Sequence, residues 1–84
     1  MLQITYSPQA RKTLRRMQPK TARHILDQME KVAESPDRRD LDIKKLEGRN
    51  GYRLRVGDWR VIYTVGGLVL AIERIGPRGD VYKK

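Results

Sequence analysis

The chain has 84 residues, with 19 Lys and Arg against 10 Asp and Glu, which gives a formal net charge of +9 and a sequence pI near 10.4. This length accommodates one small domain with a single hydrophobic core, spanning residues 1–84. The absence of cysteine excludes a disulfide framework and a thiolate zinc site. Because the chain also has only one histidine, it lacks the usual ligands of a metal centre, and no cofactor is expected. The excess of positive charge indicates a polyanionic partner.

A membrane surface is the least favoured of the possible polyanionic partners, behind a phosphate polymer and an acidic protein. The longest apolar run, residues 68–72, is far too short to cross a bilayer. The amino terminus lacks the charged segment and apolar core of a secretion signal. The sequence therefore predicts a cytoplasmic protein that makes no membrane contact.

The first half of the chain predicts a short strand followed by two helices. Apolar residues alternate with polar ones over positions 2–6, as they do in a strand. Ser7 and Pro8 then form a start signal, because serine caps a helix and proline fits its first position. Apolar residues recur at helical spacing from position 10 to position 33, and Pro19 divides this stretch into a helical hairpin.

The second half predicts a three-stranded antiparallel meander, preceded by a charged connection with a short extended stretch near residues 43–46. The predicted strands span residues 52–56, 59–65 and 68–75. Two-residue turns are expected at 57–58 and 66–67, and the second of these would place Glu73 beside Arg60. The order of strand, helical hairpin and meander predicts an α+β fold with the helices on one face of a small sheet.

The predicted hairpin of residues 52–63, YRLRVGDWRVIY, concentrates arginine on one face. Because side chains alternate across a strand, Arg53, Arg55 and Arg60 share a face, and the apolar and aromatic residues share the other. Like charges opposite one another destabilise a sheet. A polyanionic partner therefore explains the cluster better than folding does, and an ordinary solvated face is the alternative.

Arg78 and Tyr82 follow the third predicted strand, which would deliver them to the turn end of the hairpin. Several guanidinium groups around one groove can hold phosphates and stabilise charge on a transferring phosphoryl group. A tyrosine can stack on an unpaired base, which favours single-stranded RNA over duplex DNA. Lys44, Lys45 and Lys83 are candidate RNA contacts, with ordinary solvation as the alternative for the first two.

Residues 52–63 and 75–82, the latter reading IGPRGDVY, resemble the RelE/ParE superfamily of bacterial and archaeal type II toxins. Residues 45–48 resemble the segment that precedes the hairpin in that family. RelE-like members are ribosome-dependent endoribonucleases that cut messenger RNA in the ribosomal A site. The resemblance implies the same activity here, by metal-free attack of a ribose 2′-hydroxyl on the adjacent phosphodiester. A ParE-like inhibitor of DNA gyrase and a non-catalytic RNA-binding domain are the alternatives.

The resemblance also implies a role for each matching residue. Arg53 matches a basic position near the attacking hydroxyl, and Arg60 matches the arginine that binds the scissile phosphate. Arg78 matches the arginine that assists the leaving group or transition state, and Tyr82 the aromatic residue that stacks on the substrate base. Arg55 matches a commonly basic neighbour and is expected to hold the RNA backbone. Arginine stays protonated at neutral pH, so the group that removes the proton is left open.

The same resemblance implies the partners. A cognate antitoxin is expected, as an acidic and partly disordered chain that folds on binding and either covers the basic face or displaces the carboxyl-terminal tail. Operator DNA would be contacted only through that antitoxin, because this chain has no recognition helix of its own. Messenger RNA and the ribosome complete the expected set of partners.

Overall fold

Ser7 and Pro8 start the first helix as the sequence predicts. In the computed structural model, which describes residues 1–77, the Ser7 hydroxyl accepts a 3.0 Å hydrogen bond from the backbone N–H of Ala10. Pro8 lies at the first helical position. The Ser7 hydroxyl also donates a 2.6 Å hydrogen bond to the carbonyl of Glu73. One side chain thus caps the helix and attaches it to the last strand.

The helices and strands follow the predicted order, with a short strand where an extended stretch is expected. They are β1 (Gln3–Tyr6), α1 (Pro8–Arg16), α2 (Pro19–Glu34), β2 (Ile43–Lys45), β3 (Tyr52–Val56), β4 (Trp59–Gly66) and β5 (Val69–Pro77). The strands form one sheet in the order β1-β5-β4-β3-β2. β1 runs parallel to β5, and the other neighbours are antiparallel. The predicted α+β fold is confirmed.

The hairpin of β3 and β4 has the register that alternation predicts. Every expected pair is present, from Val56 with Trp59 at the turn to Tyr52 with Tyr63 at the far end. Gly57 begins the turn with a φ of +59°, a conformation that glycine adopts without steric penalty. The local sequence is therefore sufficient to specify this hairpin.

The turn between β4 and β5 lies one residue later than predicted. Gly66 continues β4 and pairs with Val69, so that Gly67 and Leu68 form the turn. Gly67 has a φ of +58° and supplies the left-handed conformation that the turn requires. The predicted turn at 66–67 is wrong, and the error displaces every pair between these strands by two residues.

A β-bulge in β5 shifts the register once more. Tyr63 pairs with Ile72, but the preceding residue Ile62 pairs with Arg74. Glu73 is therefore the extra residue that characterises a bulge. The bulge reverses the inward and outward alternation over the rest of β5.

The predicted pairing of Glu73 with Arg60 is also wrong. Gly76 lies opposite Arg60 in the observed register. The Glu73 carboxylate instead accepts hydrogen bonds of 3.1 Å from Arg49 and 3.3 Å from the Thr64 hydroxyl. The combined displacement by the turn and the bulge explains why the two residues are apart.

The hydrophobic core lies between the helices and one face of the sheet. Its buried members come from both helices and from the three central strands: Ala10, Ile25, Met29, Val32, Ala33, Leu54, Val56, Val61, Tyr63, Leu70, Ile72 and Ile75. The predicted helix-facing side of the meander is confirmed. Ile75 joins the core because the bulge turns it inward. Within residues 1–77, no helix is long and apolar enough to span a membrane.

We expect the buried Tyr63 to make the protein less stable at alkaline pH. Burial, with a smaller contribution from nearby Tyr52, raises the pKa of Tyr63 from 10.0 to about 12. The folded state holds the Tyr63 proton more tightly than the unfolded state does. The stabilisation that results is complete below pH 10 and disappears as the pH rises towards 12. We expect a loss of about 2 kcal/mol in unfolding free energy over this range. Denaturant titrations should show a smaller loss in Tyr63→Phe, and an equal loss would contradict the assignment.

Candidate nucleic-acid interface

The sheet face opposite the helices carries the arginines of the hairpin. Arg53 and Arg55 alternate along β3 with the core residue Leu54, and Arg55 pairs directly with Arg60 of β4. Two guanidinium groups in directly opposed positions repel each other. The shared face predicted for these three arginines is confirmed by the observed register.

The register of the sheet arranges this face in two rows that cross the strands. The turn row consists of Arg55, Arg60 and Gly76. The central row consists of Lys44, Arg53, Ile62 and Arg74. The rows are two residues apart along each strand, a spacing of about 6.6 Å. Together they form a basic surface, which we call the arginine face.

Arg53 is held in place at the centre of this surface. Its side chain is 17% exposed, and its Nη2 donates a 3.0 Å hydrogen bond to Oδ1 of Asp42. Its buried Nε has no hydrogen-bond partner within residues 1–77. The backbone carbonyl of Asp42 accepts a 2.9 Å bond from the N–H of Arg55, which places Asp42 next to both arginines. Sequence reasoning missed this carboxylate because it lies outside the hairpin.

Arg60 is held by carbonyl groups. Its half-buried side chain donates from Nη1 to the carbonyls of Gly57 at 3.4 Å and Trp59 at 3.3 Å. Among residues 1–77, no carboxylate lies within 4.0 Å of the nitrogens of Arg60 or of the exposed Arg55. Their charges are therefore not neutralised within the described part of the chain, and guanidinium groups in this state bind phosphate strongly.

Arg74 is a member of the arginine face that sequence reasoning missed. Strict alternation would put it on the core side with Ile72, but the bulge at Glu73 turns it to the other face, opposite Ile62. Its side chain is exposed. The buried residues Ile72 and Ile75 are three positions apart rather than two, and this spacing is the sequence signal of the bulge.

The two lysines of β2 differ in their relation to the arginines. Lys44 pairs with Arg53 and extends the central row to the edge of the sheet. Lys45 pairs with Tyr52, whose ring stacks on Tyr63, so alternation assigns it to the opposite face. A groove of about 420 Å³ at this edge is lined by Lys44, Lys45, Leu46, Glu47, Arg49 and Arg53. The register thus brings Lys44 into the arginine face, and Lys45 only lines the adjoining groove.

The remaining predicted site residues, Arg78, Tyr82 and Lys83, lie outside the described residues. The last described residue, Pro77, pairs with Trp59 at the turn end of the hairpin. Of the predicted site residues that are described, Arg53, Arg55, Arg60 and Lys44 share the arginine face and Lys45 does not; the structure adds Arg74 and Asp42. These residues concentrate positive charge on one face of the sheet, and such a surface attracts anions.

Comparisons with known proteins agree on one group of relatives. The family described as "ParE toxin of type II toxin-antitoxin system, parDE" matches residues 4–82. A chain of the archaeal RelE–RelB complex from Pyrococcus horikoshii OT3 is 32% identical, with 93% of this chain and 96% of that chain covered and a TM-score of 0.80. A chain of the RelB–RelE antitoxin–toxin complex from Methanococcus jannaschii is 28% identical, with 99% and 96% covered and a TM-score of 0.74.

The isolated E. coli RelE toxin shares the fold. It is 21% identical, with 98% of this chain and 92% of that chain covered and a TM-score of 0.77. No curated protein matches the sequence closely enough to count as a relative. The structural likeness therefore extends over nearly the full length of both the archaeal and the bacterial proteins.

Proposed function

Because the chain belongs to the RelE/ParE superfamily of type II toxins, we propose that it is a ribosome-dependent endoribonuclease that cleaves messenger RNA and inhibits translation. It is the toxin component of a type II toxin–antitoxin system. The observation that carries the proposal is the pair of Arg55 and Arg60, placed opposite each other on the sheet without a neutralising carboxylate among residues 1–77. Such an arrangement is costly for folding and well suited to a polyphosphate.

In the proposed reaction a ribose 2′-hydroxyl attacks the adjacent phosphorus and the 5′-oxygen leaves. Arg60 binds the scissile phosphate and stabilises the charge that develops on it. Arg53 stabilises charge near the attacking hydroxyl, and Arg55 holds the RNA backbone. The family resemblance assigns leaving-group assistance to Arg78 and base stacking to Tyr82.

The test is to induce the protein in cells and to map the 5′ ends of messenger RNA. We expect new ends at defined positions within codons of translated regions, and their disappearance in Arg60→Ala. Arg23→Ala is the matched control, because Arg23 is an exposed arginine on α2, on the helical side of the sheet. New ends that persist in Arg60→Ala would contradict the role of this arginine.

A ParE-like gyrase inhibitor is the second candidate function, and the family match over residues 4–82 favours it. The two functions differ in their target, since one destroys messages and the other stalls gyrase on DNA. Growth arrest with intact messages and trapped gyrase–DNA complexes would establish the second function and overturn the first.

We propose that a cognate antitoxin neutralises this toxin. The archaeal relatives from Pyrococcus horikoshii and Methanococcus jannaschii were both solved with RelB. The partner proposed here is an acidic, partly disordered chain that folds over the arginine face and carries any contact with operator DNA. Charge complementarity with a net charge of +9 predicts that the association slows as salt is added.

We expect Arg74 to contribute measurably to the affinity of the protein for RNA. Replacing it with glutamine removes one exposed cation from the central row, so single-stranded RNA should bind more weakly. The slope of log affinity against log salt should fall in magnitude by about 0.7, the value for one phosphate contact with a single strand. Fluorescence anisotropy with a labelled oligouridine measures both quantities. If the matched variant Arg23→Gln changes the slope equally, Arg74 acts only through the net charge of the protein and makes no specific phosphate contact.

A further inference from the structure

None of the arginines of the arginine face can accept the proton of the attacking hydroxyl. Guanidinium groups stay protonated in proteins, so Arg53, Arg55 and Arg60 cannot accept it. A carboxylate within reach of the same phosphate would meet the need, because Asp and Glu serve as general bases when they are correctly placed. The candidates for the general base are therefore the carboxylates around this face.

Asp42 is the carboxylate that the structure places among these arginines. Its Oδ1 lies 3.0 Å from Nη2 of Arg53, and its backbone carbonyl is bonded to the N–H of Arg55. Its side chain is 53% exposed, so a substrate hydroxyl can reach it from solvent. The bond to Arg53 holds the carboxylate over the sheet, beside the position that the resemblance associates with the attacking hydroxyl.

The other nearby carboxylates are less suitable. Glu73 forms its hydrogen bonds with Arg49 and Thr64, neither of which belongs to the arginine face. Asp58 lies in the turn between β3 and β4, and within residues 1–77 it forms no ion pair with an arginine of the face. Glu47 lines the groove beside Arg53, but within residues 1–77 it forms no ion pair with an arginine. Asp42 is thus the carboxylate that, among the described residues, pairs with an arginine of the face.

We propose that Asp42 is the general base of the cleavage reaction, an inference that rests on the proposed ribonuclease function. The carboxylate takes the proton from the ribose 2′-hydroxyl while the 2′-oxygen forms a bond to phosphorus. The bond from phosphorus to the 5′-oxygen breaks, and that oxygen leaves as a hydroxyl after taking a proton from water. The products are a 2′,3′-cyclic phosphate and a 5′-hydroxyl, and Asp42 then returns its proton to solvent.

A purely structural ion pair would leave the cleavage rate undiminished on mutation. If Asp42 only neutralises Arg53, its replacement by asparagine frees a cation and should strengthen RNA binding without slowing cleavage. If it is the base, the same change should slow cleavage and leave binding equal or stronger. The cleavage rate constant separates these roles, and the affinity shows that a slower rate is not caused by weaker RNA binding.

The experiment is single-turnover cleavage of messenger RNA on programmed ribosomes. We expect Asp42→Asn to lower the cleavage rate constant by about 100-fold or more, the usual contribution of a general base. Asp42→Glu should recover part of the rate, because it restores a carboxylate. Asp40→Asn is the matched control, since Asp40 is an exposed aspartate two residues away that pairs with Arg38 instead of the face. Thermal unfolding of each variant confirms that it is folded.

Three outcomes are informative. An undiminished rate in Asp42→Asn, with active wild-type protein, would overturn the assignment of Asp42 and leave the proposed function intact. An equal loss in Asp40→Asn would show a nonspecific effect of the charge and overturn it as well. Failure of the wild-type protein to cleave any programmed message would overturn the proposed function, and the general base with it.

Discussion

Replacing Arg60 with alanine is expected to lower the rate of messenger RNA cleavage by about 100-fold to 1,000-fold, as removal of one donor to a transition-state oxyanion does. RNA affinity should fall much less, because Arg55 and Lys44 keep their charges. The physical reason is the position of the Arg60 guanidinium, which carbonyl oxygens orient and which no described carboxylate neutralises. Single-turnover cleavage on programmed ribosomes measures the rate, and anisotropy with labelled RNA measures the affinity.

Arg53→Ala provides the comparison for this result. Because Asp42 partly neutralises the charge of Arg53, the loss of Arg53 should slow cleavage less than the loss of Arg60 does. Arg23→Ala on α2 removes the same formal charge from the helical side and should leave the rate unchanged. If Arg60→Ala behaved like Arg23→Ala, the scissile phosphate would have to bind elsewhere on the protein.

The parts of the fold that could be predicted are those specified by neighbours in the chain. The Ser7 cap and the proline at position 8 act within one turn of helix, and the hairpin of β3 and β4 is closed by the two residues of its own turn. In both cases the deciding contacts are separated by few residues. The grouping of Arg53, Arg55 and Arg60 followed from this local register, which is why this part of the candidate site could be predicted.

The parts that could not be predicted depend on distant packing. Two adjacent glycines, Gly66 and Gly67, allow alternative turns, and nothing local chooses between them. The bulge at Glu73 forms where Ile75 enters a core built largely by the helices, so its cause lies elsewhere in the chain. β1 joins β5 across more than 60 residues. Arg74 was missed because its face is set by this bulge rather than by simple alternation.

The face opposite the helices also contains a buried apolar residue, Ile62. It is 1% exposed, although it lies outside the core cluster that the helices cover. Its register partners are Arg53 on β3 and Arg74 on β5. Cross-strand partners lie about 5 Å apart at their Cβ atoms, so the methylene groups of the two arginines can cover it. We therefore expect Ile62 to support the side chains of the two arginines and to orient their cations.

Replacing Ile62 with alanine is expected to destabilise the protein by about 2–3 kcal/mol, in the lower part of the range for buried isoleucine, because flexible arginine side chains can partly fill the space. Leu54→Ala, beneath the helices, should cost more, about 3–5 kcal/mol, since the packed core relaxes less. Denaturant unfolding measures both. At a temperature where both variants are folded, Ile62→Ala should also bind RNA more weakly, because Arg53 and Arg74 lose their support, and Leu54→Ala should not. Equal RNA affinity in the two variants would show that the arginines hold their positions without Ile62, through contacts such as the bond from Arg53 to Asp42.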